Sequence, residues 1–62
     1  MNDDLKHKVR RTMQDMDDKM SILWEHICEA EKSGDDFGAT LITEARDKLR
    51  ESVLTLESAL KA

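Results

Sequence analysis

Apolar side chains recur every three or four residues along this chain, and the series breaks once. It runs Leu5, Val9, Met13, Met16, Met20, Leu23, Ile27, Ala30, then resumes as Ile42, Ala45, Leu49, Val53, Leu56, Leu60. Steps of three and four place side chains on one face of an α-helix. The break is Ser33-Gly34-Asp35-Asp36. Gly34 suits the left-handed residue that ends a helix, and Asp35 or Asp36 can cap the next one. At the other end, Asn2 or Asp3 can cap helix 1. Proline is absent and glycine occurs only twice, so nothing else interrupts either run. The pattern predicts an all-α fold: one domain over residues 1–62, an antiparallel two-helix hairpin with helix 1 at about 3–32, a turn at 33–36 and helix 2 at about 36–61.

The two runs also match each other. A hairpin closing between Gly34 and Asp35 brings together residues whose numbers sum to about sixty-nine. Val9 then meets Leu60, Met13 meets Leu56, Met16 meets Val53, Met20 meets Leu49, Ile27 meets Ile42 and Ala30 meets Ala39. Trp24 falls opposite Ala45 and Arg46. From Met13 onward helix 1 reads as heptads, with Met13, Met20 and Ile27 at a and Met16, Leu23 and Ala30 at d. The fours from Leu5 to Val9 and Val9 to Met13 read as a stutter. In helix 2, Ile42, Leu49 and Leu56 read as a, Ala45, Ser52 and Ala59 as d, and Val53 and Leu60 as e. Phe37, in the first turn of helix 2, can fold over the closed end.

Chains this short bury a small share of their surface and usually need a disulfide, a metal or a partner. Cys28 is the only cysteine, which excludes an internal disulfide and suits a reducing compartment, read here as the cytoplasm. Trp24, Val53 and Leu60 widen the stripe along one flank, with Cys28 one turn beyond Trp24. The expected consequence is a homodimer, an antiparallel four-helix bundle, with Trp24, Val53, Leu60, Cys28, Met16 and Met20 at its interface. A helical partner protein could supply the missing helices instead. Ile22, Leu41 and Leu54 point outward and are candidates for a further partner surface.

No catalytic or ligand signature stands out. Met13, Met16 and Met20 hold core positions, which favours core filling over thioether metal ligation. His26 and Cys28 are two residues apart, on different sides of a helix, whereas helical metal ligands are four apart or follow Glu-x-x-His. Asp4-x-x-His7 has that spacing but lies at a helix end. The neighbours of Cys28, Glu25, Glu29 and Glu31, are acidic, the opposite of the electropositive surroundings that activate a thiol. Two helices offer no cleft to exclude water around a reaction. The chain reads as a non-enzyme with no metal, cofactor or small-molecule substrate. It has no apolar run long enough to span a bilayer, and no membrane association is expected.

Charge divides along the chain. Residues 1–12 carry Lys6, Lys8, Arg10 and Arg11 against Asp3 and Asp4, a net of +2, while residues 13–36 carry a net of −6. Lys6, Lys8, Arg10 and Arg11 are therefore the candidate nucleic-acid contact. In length and topology the expected dimer resembles the dimeric helical-hairpin RNA-binding proteins of plasmid copy control. That resemblance implies a four-helix bundle that binds RNA, and it carries no individual site, since Asp15, Asp17 and Asp18 stand on helix 1 where an RNA-facing surface is basic. The first reading of function is thus a protein–protein interaction module: an adaptor, co-chaperone or regulator. The second is a nucleic-acid-binding regulator using the basic turns, and the third a metal- or thiol-dependent sensor.

Overall fold

The computed structural model describes all residues from Met1 to Ala62. It contains two helices, α1 (Asp3–Lys32) and α2 (Asp36–Lys61), packed side by side. At 1.5 Å per residue α1 is about 45 Å long, and the molecule measures 47 × 15 × 10 Å.

Local chemistry sets the helix ends. The Asn2 side chain accepts a 2.8 Å hydrogen bond from the Leu5 N–H, and the Asp35 Oδ1 accepts one of 2.8 Å from the Gly38 N–H. Each satisfies a donor that the first helical turn leaves free. Acidic residues occupy both first turns and a lysine both last turns, which complements the helix dipoles. The turn is a Schellman motif. The Asp35 N–H donates to the Ala30 carbonyl at 2.8 Å and the Gly34 N–H to that of Glu31 at 3.1 Å. Gly34 has a φ of 77°, the left-handed conformation this motif demands and an L side chain resists.

Both members of every expected pair from Val9–Leu60 to Ala30–Ala39 are buried or half-buried, but the second inward set of α2 lies one position beyond the expected d residues. Ala39 and Val53 are buried, and Ile42, Arg46, Leu49, Leu56 and Leu60 are half-buried. Of the expected inward d residues, Ala45 and Ser52 are exposed and Ala59 is half-buried. The inward stripe is therefore 39, 42, 46, 49, 53, 56 and 60, an unbroken heptad alternation. Val53 and Leu60 thus belong to the seam, as their pairing with Met16 and Val9 requires, and not to the flank. Burying a valine and a leucine removes more apolar surface from water than burying a serine and an alanine. The one-position shift also carries Arg46 inward, level with Leu23.

Two further expectations change. Helix 1 has no stutter: Lys6 is half-buried and Leu5 is exposed, so the heptad 6, 9, 13, 16, 20, 23, 27, 30 continues to the first turn. A lysine tolerates such a position because its stem covers apolar surface while the ammonium reaches water. Phe37 does not fold over the closed end. It is 76% exposed, because it lies two residues before Ala39, roughly 200° around the helix from the seam.

Candidate functional site

The seam between α1 and α2 leaves much of the apolar surface outside. Only Ile27, Ala39 and Val53 are buried, whereas Trp24 is 55% and Leu54 51% exposed. Trp24 follows Leu23, a seam residue, and so stands at the edge of the packed face. The guanidinium carbon of Arg46 lies 5.3 Å from the centroid of its ring, within cation–π range. Arg46 thus does two things: its stem completes the seam at the level of Leu23, and its head covers one face of the indole. Its Nη2 also lies 3.6 Å from Asp47 Oδ1.

Beside this pair is a shallow concavity lined by Asp17, Met20, Arg46, Arg50, Val53 and Leu54. Met20, Val53 and Leu54 supply apolar surface, with Asp17 and Arg50 as charged rim. Cys28, one turn from Trp24, is half-buried and free. Trp24, Cys28, Met20 and Leu54 therefore lie along one flank. Met16 is half-buried in the seam. The sequence grouped Leu54 with Ile22 and Leu41. The register instead places Leu54 with Trp24 and leaves Ile22 and Leu41, both exposed, on the opposite flank. Arg46, Arg50 and Asp17 were not singled out from sequence, because their role depends on the rotation of α2.

Arg46 gives a direct test of this local arrangement. Arg46→Ala is expected to destabilise the hairpin by about 1–2 kcal/mol through lost stem packing and lost stacking on Trp24. Arg46→Met, which restores an unbranched stem without the charge, should recover most of it. Thermal melts followed by circular dichroism decide the matter. Equal losses in both variants would show that the charge, not the stem, is what counts.

The basic turns of α1 are arranged less favourably for binding phosphate. Lys6 is half-buried along the seam. Lys8 Nζ lies 3.2 Å from Asp4 Oδ2, both side chains being largely exposed. His7, Arg10, Arg11 and Gln14 line a shallow depression with Asp4 and Lys8 that has no apolar residue. No group of three or more His, Cys, Asp or Glu side chains is placed to hold a metal ion, and no helix is long and apolar enough to cross a membrane.

No protein-family model, curated protein or solved structure matches the chain.

Proposed function

We propose that this protein is a non-catalytic interaction module, an adaptor or regulator, whose working form is a homodimer joined along the Trp24 flank into a four-helix bundle. The observation that carries this reading is the half-exposed indole of Trp24 beside an apolar-floored concavity, on a hairpin that buries only three of its 62 residues. A half-exposed tryptophan next to a hollow of that kind is the form of an interface anchor.

Surface area supports it. The chain exposes 4849 Å². A compact monomer of 7.1 kDa exposes about 4,100 Å². The excess reflects the elongated 47 × 15 × 10 Å shape, which leaves both flanks of the seam open to a partner. A lone thiol fits a reducing compartment such as the cytoplasm. Nucleic-acid binding has less behind it, since Asp15, Asp17 and Asp18 follow the basic turns on α1.

Light scattering at tens of micromolar should return twice the 7.1 kDa chain mass, with full helicity by circular dichroism. A folded, helical monomer at that concentration would sink the homodimer and leave a different helical protein as the partner.

A further inference from the structure

Resting on the homodimer reading above, we propose that the two hairpins pack head to tail, the closed end of one against the open end of the other, about a two-fold axis that crosses the middle of the Trp24 flank at right angles to the helices.

Charge complementarity is the first argument. Residues 25–44 form the closed end and carry six acids against one base, a net of −5. The open end, residues 1–12 and 57–62, carries Lys6, Lys8, Arg10, Arg11 and Lys61 against Asp3, Asp4 and Glu57, a net of +2. Packed helices lie about 8–10 Å apart, within about a Debye length at physiological salt. A two-fold axis along the helices would set the two −5 ends side by side. Turning one hairpin end for end sets each −5 end against a +2 end. On this flank it brings Lys61 of one copy level with Glu31 of the other, with Arg10 within a turn.

The anchors supply the second, independent argument. In an isologous interface each contact occurs twice, residue i on residue j and j on i. Trp24 stands ten residues from Gly34 and Leu54 nineteen from Asp35. The level midway between them is about 14–15 residues from the turn, some two residues from the middle of α1. A head-to-tail axis at that level sets α1 against α1 and α2 against α2, with Trp24 of each copy level with Leu54 of the other across the bundle. With the closed ends together, Trp24 of each copy instead lies level with Trp24 of the other, and Leu54 level with Leu54.

Energy transfer between singly labelled chains tests the orientation. In a Cys28→Ser background, a donor is attached at Lys32→Cys, near the closed end. It is mixed either with acceptor at Lys32→Cys or with acceptor at Ser58→Cys, toward the open end. Both sites are exposed. In the head-to-tail dimer the axial offset is about 38 Å for the 32–32 pair and about 6 Å for the 32–58 pair, at 1.5 Å per residue. Transfer should be clearly more efficient for 32–58. The reverse order, or equal efficiencies, overturns the orientation and leaves the homodimer standing. Absence of transfer in both mixtures overturns the homodimer, and the orientation with it.

Discussion

Ile27→Ala is expected to lower the melting temperature of the hairpin by at least 10 °C, with much of the helical signal gone at 37 °C. Ile27 is the most buried residue, at 3% exposure, and it sits in the layer with Ile42 that ties the two helices near their turn. Truncating a buried isoleucine costs about 2–5 kcal/mol. A chain of this size has a total stability of roughly 3–9 kcal/mol, and each kcal/mol moves the melting temperature by about 4–8 °C. Few other buried side chains exist to absorb the loss. Ile22→Ala is the matched control: the same chemical change, on a residue 41% exposed and outside the seam, should stay within about 0.5 kcal/mol of the parent. Melts of both variants at one protein concentration decide the point. A comparable shift for the two would mean that the seam does not hold the hairpin together.

The features legible from sequence were those fixed by local chemistry or by matching of the two runs. Gly34 could be read directly as the residue that ends helix 1, and each N-cap was narrowed to two neighbours, of which Asn2 and Asp35 are the caps. The twelve residues of the six layers expected from the turn, Val9–Leu60 to Ala30–Ala39, are all buried or half-buried. What failed was a choice between neighbouring faces. Ala45 looks like a core residue and Arg46 does not, so the sequence read 45, 52 and 59 as the inward d positions and set Val53 and Leu60 beside them at e. The energetics favour 46, 53 and 60, because Val53 and Leu60 outweigh Ser52 and Ala59 and because Arg46 can lie along the seam and end over Trp24. Lys6 and Leu5 repeat the case at the open end: a long cationic stem takes the inward position and the leucine stays out.

The candidate site was legible in part for the same reason. Trp24 stands out as a large apolar residue at the edge of the helix 1 stripe, and that depends on helix 1 alone. The concavity beside it needs α2 in its actual rotation, with Val53 inside and Leu54 next to it. No pattern in helix 2 announces Leu54 as part of this flank, since read alone it is an isolated exposed aliphatic, which is ordinary on a protein surface.

Trp24→Ala is expected to convert the dimer to monomer at concentrations where the parent is fully dimeric. Tryptophan anchors set in apolar hollows commonly contribute about 2 kcal/mol or more when truncated, a weakening of about 30-fold or greater for each indole lost. Two-fold symmetry makes one substitution remove two anchors, so the combined effect on the dimer reaches several hundredfold. The indole is more than half exposed in the single hairpin, so its removal should leave most of the helicity in place, and sedimentation can follow the loss of mass without confusion from unfolding. The parent carries its own reporter, because Trp24 is the only tryptophan. Diluting it through the dissociation range should shift its emission to the red as the ring enters water, in step with the fall in mass. An emission maximum at all concentrations like that of a fully solvated indole, or a Trp24→Ala variant that stays dimeric, would place the interface on the flank of Ile22 and Leu41 instead.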